Sequence, residues 1–224
     1  MTATTTAITP PRGLLLDAMG TLIGLRRSVG ETYAELAASH GVPVEAAAIN
    51  AAFPRLFRQA PPLAFPGLEA EALLQAERDW WTALIEATLS ACGHSCPLPP
   101  ALAPALFDHF ARPDPWLVYD DVAEHLQRWR SRGLKLAVVS NFDQRLIGLL
   151  EALELTPLFD AVLVSSAAGA AKPDPRPFQQ ALDCLELPAS SVWHIGDSPE
   201  DEQGARAAGV RCLLIRRPRS GGTP

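Results

Sequence analysis

Gly13-Leu14-Leu15-Leu16-Asp17-Ala18-Met19-Gly20-Thr21-Leu22 reads as a strand that runs through the interior, stops at a carboxylate and turns at a glycine. Three consecutive leucines carry no polar alternation. That is the pattern of a strand covered on both faces, as in a parallel sheet. Working outward, the texture changes at once. From about Ser28 to Arg112 the chain is rich in Ala and Leu at helical spacing, with helices expected over Val29–Ser39, Val44–Gln59, Leu68–Ala91 and Pro100–Ala111. Gly41-Val42-Pro43 and Pro61-Pro62 punctuate them. Leu73, Ala76, Trp80, Ala83, Leu84 and Ala87 follow the i, i+3, i+4, i+7 rule, so this segment can bury a stripe of its own.

Arg112-Pro113-Asp114-Pro115 is a linker by composition, and beyond it strands and helices alternate. Strands are expected at Leu134–Ser140, Ala161–Ser165, Ser191–Gly196 and Val210–Ile215. The helices between them are Asp121–Ser131, Asp143–Leu153, Pro175–Glu186 and Pro199–Ala208. With Gly13–Asp17 this makes five apolar strands alternating with helices, hence an α/β fold with a doubly wound parallel sheet. Residues 12–27 and 113–216 form the sheet unit, 28–112 an all-helical insertion, and 1–11 and 217–224 loose tails.

Composition bounds the function. The 224 residues are 48% apolar with a net charge of −6, and lysine occurs only at Lys135 and Lys172. No basic stripe is available to a polyanion, so nucleic acid is not an expected partner. No apolar run reaches the roughly 20 residues of a membrane span, and the Thr-rich start lacks the basic and apolar parts of a signal peptide. The four cysteines suit a reducing compartment, and a cytoplasmic location is expected. Cys92, His94 and Cys96 fall one ligand short of a zinc site, and read as a helix end followed by a loop.

In doubly wound sheets, ligands bind outside the carboxyl ends of the strands. Those ends hold Asp17, Ser140-Asn141, the loop with Lys172, and Gly196-Asp197 followed by Asp201. Carboxylates take Mg²⁺, while hydroxyl, amide and ammonium groups take a phosphate. Each has an ordinary alternative. Asp17 can be a turn residue, Ser140-Asn141 a helix cap, Lys172 a solvated lysine, and Asp197 with Asp201 a capped helix start. Four such coincidences at four strand ends are harder to accept than one site.

Asp17-Ala18-Met19-Gly20-Thr21-Leu22, Ser140-Asn141, Lys172-Pro173-Asp174 and Gly196-Asp197 with Asp201 resemble, in order, the four motifs of the haloacid dehalogenase superfamily. The resemblance spans roughly residues 12–215, and the helical insertion lies where that family carries its C1-type cap. Val29–Tyr33, Trp80-Trp81 and Ser140–Leu146 further resemble an animal subgroup of the family. The resemblance implies a Rossmann-like core and a small phosphorylated substrate. It makes Asp17 the nucleophile, and gives Mg²⁺ to Asp17, the Met19 backbone carbonyl, Asp197 and Asp201. The phosphoryl group goes to Ser140, Asn141, Thr21 and Lys172.

One position departs from the pattern. The family's phosphatases carry a second Asp two residues after the nucleophile as their proton carrier, and here that place is Met19. General acid–base catalysis is worth about 10²–10⁴-fold, so phosphomonoester turnover should be weak. A phosphatase or phosphotransferase, a 2-haloacid dehalogenase and a non-catalytic Mg²⁺- and phosphate-binding protein all stay open. A phosphonate-cleaving activity does not, because the insertion has no lysine for a Schiff base. Trp80 and Trp81 read as packing within the insertion, with a substrate lid as the alternative. Arg26 and Arg27 either reach an anion or line a solvated hinge. His194 reads as a satisfied core histidine.

Overall fold

The computed structural model describes residues 10–217, so all but residues 10, 11 and 217 of the expected tails lie outside the described residues. Five strands form one parallel sheet in the order β5-β4-β1-β6-β7. They are β1 (Gly13–Leu16), β4 (Lys135–Ser140), β5 (Ala161–Val164), β6 (Val192–Gly196) and β7 (Arg211–Leu214). β1 is central. The chain builds outward from it on one side with β4 and β5, then crosses to the other side with β6 and β7.

The leucine run of β1 divides between the two faces, because side chains alternate along a strand. Leu14 and Leu16 pack with Leu136 and Val138 under α5 (Val122–Ser131) and α6 (Arg145–Ala152). Leu15 turns to the opposite face, with Ala137 and Val139, against α8 (Arg176–Leu185) and α9 (Pro199–Ala207). Both faces are therefore closed. Truncating Leu15, which has no exposed surface, to Ala would cost about 2–5 kcal/mol.

Helices α1 (Val29–Ser39), α2 (Ala46–Gln59), α3 (Ala70–Ala91) and α4 (Leu102–His109) gather around a separate core of Tyr33, Ala37, Ile49, Ile85, Leu89 and Leu106. Ser28 and Glu31 start α1 with a reciprocal capping box. Among the described residues, no helix is long and apolar enough to cross a membrane.

Three features differ from the sequence expectation. A two-stranded antiparallel ribbon, β2 (Ile23–Leu25) with β3 (Trp116–Val118), joins the helical segment to the sheet. Three-residue strands are too short to show periodicity, and the prolines before β3 read only as a linker. After β5 the chain does not run straight into a loop, but makes a single helical turn, α7 (Ser165–Ala168). Arg217, expected in the loose end, donates to Thr21 O from Nε (3.1 Å) and Nη2 (2.9 Å) and pairs with Asp121 at 2.6 Å. An Arg with two partners far back in the sequence holds that end down.

Candidate active site

Asp17 sits just past the carboxyl end of β1 and is almost wholly buried. Its Oδ1 accepts from Ser140 Oγ at the end of β4 (3.1 Å) and from Lys172 Nζ (2.6 Å). Among the described residues no protein donor engages Oδ2. Lys172 directs its other two N–H groups to Asp201 Oδ1 (2.6 Å) and Val139 O (3.1 Å), so all three of its donors are used. Burial disfavours its charge, but Asp17 and Asp201 outweigh that and raise its pKa. The ammonium is thus a fixed clamp between two carboxylates.

Asn141 explains how Lys172 reaches this position. Its Nδ2 donates to Lys172 O (2.9 Å) and its Oδ1 accepts from Lys172 N (2.7 Å). Expected among the phosphate-binding groups, this side chain instead clasps the lysine loop. The backbone N–H groups of Ala18, Met19 and Asn141 find no acceptor among the described residues. Thr21, also expected to bind phosphate, has a buried hydroxyl without a partner.

Asp201 lies in the first turn of α9, where Ser198 and Asp201 form a reciprocal capping box. Its Oδ2 accepts from Asp197 N (3.2 Å), Ser198 N (3.1 Å) and Ser198 Oγ (2.7 Å). Its Oδ1 takes Lys172 and His194 Nε2 (2.8 Å). Burial alone would raise the Asp201 pKa, yet the His194 hydrogen bond and the Lys172 charge hold it well below the usual range. With five donors, Asp201 is an ionised anchor whose oxygens are both committed. His194, read as a satisfied core histidine, is wholly buried but engages only one ring nitrogen, and Nδ1 has no partner.

Asp197 opens to solvent on one side. Partial desolvation, then the charges of Asp17 and Asp201, push its pKa up to about 6. Two glycines let these loops approach. A Cβ on Gly20, at φ +82°, would lie 2.2 Å from Asp197 Oδ2, and one on Gly196 2.3 Å from Asp201 Cγ. Oxygens of Asp17, Asp197 and Asp201 lie within 4.8 Å of one another. This is the one such His/Cys/Asp/Glu group among the described residues, so Cys92, His94 and Cys96 do not gather into one. Cys92 caps the end of α3.

Sequence reasoning missed the second half of the site. The segment Asp143-Gln144-Arg145, one residue beyond Asn141, fastens the helical segment to the sheet. Trp81 Nε1 donates to Asp143 Oδ2 (2.7 Å), Gln144 N to Glu77 Oε1 (3.1 Å), and Arg145 Nη1 to Phe107 O (2.8 Å). Arg145 also forks onto Asp143 at 2.8 and 2.7 Å and lies 3.8 Å over the Phe107 ring. Burial raises the pKa of Glu77. Trp80, expected to pack within the insertion, lies half-buried outside its core, edge-on to Phe57 and giving its N–H to Pro61 O (2.9 Å), whereas Trp81 faces a cavity of about 230 Å³ beside Met19 and Asn141. The sequence signals were an acid–x–Arg one residue beyond Ser-Asn and the subgroup resemblance over Ser140–Leu146, neither of which says what the segment holds. On the other side of Met19 an open cleft is lined by Arg27, Tyr119, Asp197, Arg216 and Arg217. Arg27 also pairs with Glu35, while Arg26 makes a backbone bond to Pro115.

The family model described as haloacid dehalogenase-like hydrolase matches residues 11–209. The chain is 40% identical over 209 residues to haloacid dehalogenase-like hydrolase domain-containing protein 3 of Bos taurus, across 92% of this chain and 82% of that protein. It is 38% identical over 140 residues to the phosphoglycolate phosphatase of Caulobacter vibrioides, across 59% and 58%. In structure it is similar to the L-2-haloacid dehalogenase of Xanthobacter autotrophicus with chloropropionic acid covalently bound. There the TM-score is 0.67 at 21% identity, covering 92% of this chain and 77% of that one, which speaks to the fold. Matched along almost its whole described length, the chain belongs to the haloacid dehalogenase-like hydrolases.

Proposed function

We propose that the chain is a Mg²⁺-dependent phosphohydrolase or phosphotransferase for a small phosphorylated molecule, working through an aspartyl phosphate on Asp17. One observation carries this reading. Three carboxylates meet at the ends of β1 and β6, and one ammonium, Lys172, faces them. Partial burial and then the neighbouring negative charge lift the Asp197 pKa, and an oxygen-only donor set with a net deficit of cation suits a hard divalent ion. Asp17, Asp197 and the Met19 carbonyl would hold Mg²⁺, with Asp201 behind them. When bound, the ion neutralises this excess and draws charge from the phosphoryl oxygens.

The chain's own groups supply the rest. Ser140 and Lys172 fix Asp17 through Oδ1, leaving Oδ2 to attack phosphorus. The bond from phosphorus to the leaving oxygen breaks with its electron pair on that oxygen. Water then cleaves the acyl phosphate, releasing phosphate and restoring Asp17. The N–H groups of Ala18, Met19 and Asn141 receive the phosphoryl oxygens. Met19 can protonate nothing, so the leaving oxygen must depart as a weakly basic anion, the carboxylate of an acyl phosphate or an acidic phenolate. Residues 28–112 act as a cap, with Asp143–Arg145 as the latch that seats it.

A second reading, dehalogenation of a 2-haloacid, is favoured by Met19 and by the apolar cavity beside it. A departing halide needs no proton. One panel separates the two: acetyl phosphate, p-nitrophenyl phosphate, sugar phosphates and 2-chloropropionate, each with Mg²⁺ or EDTA, with Asp17→Asn as control. Mg²⁺-dependent phosphate release, lost in Asp17→Asn, is expected. Halide release in EDTA would replace the phosphatase reading with the dehalogenase one.

A further inference from the structure

The cavity beside Met19 has a chemistry that the motifs do not contain. Its wall is built by the helical segment and the β2–β3 ribbon, with Phe53, Phe57, Ile85, Leu106, Phe110 and Trp116 among its residues. Its polar members are already engaged. Asn141 holds the Lys172 backbone through both amide atoms. Arg145 is taken up by Asp143 and Phe107 O. The indole N–H groups of Trp81 and Trp116 donate to Asp143 and Phe110 O. One amide N–H of Asn141 and two guanidinium N–H groups of Arg145 remain beyond these bonds, and the Tyr33 hydroxyl, kept neutral because burial raises its pKa, makes no hydrogen bond among the described residues. The other lining side chains are apolar, so a polyhydroxylated guest would lose its water and find few partners.

We propose that this cavity receives the organic body of the substrate, and that the body is one compact apolar group, aromatic or branched aliphatic. The inference rests on Asp17 as the phosphoryl acceptor, and it names the substrate class for that site. Size agrees with it. A dry apolar cavity of about 150 Å³ takes a benzene, so about 230 Å³ holds one ring with its linking atoms. Joined to the leaving-group requirement set by Met19, the class is an aroyl or branched acyl phosphate, or the phosphate of an acidic phenol. Each buried hydroxyl left without a partner lowers affinity by about tenfold, which disfavours sugar phosphates.

Binding and turnover test this separately. With Mg²⁺ present, phenylphosphonate, methylphosphonate and glucose 6-phosphate are titrated against tryptophan fluorescence, since Trp81 and Trp116 border the cavity. Phenylphosphonate is expected to bind at least about tenfold tighter than either of the others. Equal affinities overturn the proposal. In turnover, benzoyl phosphate is expected to exceed acetyl phosphate in kcat/KM. Phe57→Asp, at a lining position 39% exposed, should lower that ratio about tenfold. An unchanged ratio also overturns it. Preferential phenylphosphonate binding with no phosphate released from any substrate would support the cavity while sinking the proposed function. Phosphate release from glucose 6-phosphate as fast as from benzoyl phosphate would do the reverse.

Discussion

The two sides of Asp17 are built in opposite ways. Toward the sheet the groups are charged or polar, and most are bound to a named partner. Lys172 uses three donors, Asp201 accepts five hydrogen bonds, and Asn141 closes the lysine loop. Toward the helical segment, the cavity is apolar and its few polar atoms are turned into the latch around Asp143 and Arg145. Electrostatic positioning and shape selection are thus separated in space. The first comes from groups at strand ends, and the second from rings contributed by α1–α4 and the ribbon. Met19, 40% exposed, stands at the border and belongs chemically to the apolar side.

Changes on the polar side should cost most. Lys172→Met leaves Asp17 and Asp201 facing each other without their shared cation. A broken buried ion pair typically loses about 3–5 kcal/mol, to be read from urea unfolding. A loss under about 1 kcal/mol would mean that the clamp is not structurally tight.

Moving the border is the next largest test. Met19→Asp returns a proton carrier to its family position and should raise turnover of a simple alkyl phosphate, whose leaving alkoxide needs a proton, by about 10²-fold, the lower end of what general acid–base catalysis supplies. If the rate stays flat, the missing acid was not the defect, and the apolar side limits turnover instead.

On the apolar side the effects shrink. Trp81→Phe keeps most of the ring surface but removes the 2.7 Å donor to Asp143, so a loss of about 1.5–3 kcal/mol is expected from a hydrogen bond to a charged group. Thermal unfolding would detect it.

The smallest effect is a matter of pH. Asp197 has a folded pKa of about 6, above the ordinary 3.8, so without metal it favours the folded state below about pH 4. That contribution fades as pH rises through 6. Mg²⁺ needs the ionised form, so its apparent affinity should rise about tenfold from pH 5 to pH 7. A calorimetric titration that shows no change across that range would place the cation elsewhere.

The sequence by itself determined the sheet and the chemical inventory of its edge. The leucine run of β1 and the later apolar strands are local signals, and a residue that ends a strand is carried to the carboxyl edge whatever the rest of the chain does. Asp17, Ser140 and Asp197 could therefore be collected before any coordinates, while Lys172, in the loop beyond β5, and Asp201, in the first turn of α9, were joined to them by the order of the motifs. Asn141 was collected too, but its part as a clasp could not be read, because a hydrogen bond across 31 residues leaves no periodic trace. Tertiary structure alone decided which oxygen of Asp17 is free, how Asp201 is anchored, and that Trp80 and Trp81 serve different neighbours. It alone assembled the cavity, whose walls come from four helices and a ribbon too short to recognise. Apolar side chains at helical spacing say only that something will be buried. What they bury, and what room they leave beside Met19, depends on how the helical segment is seated on the sheet.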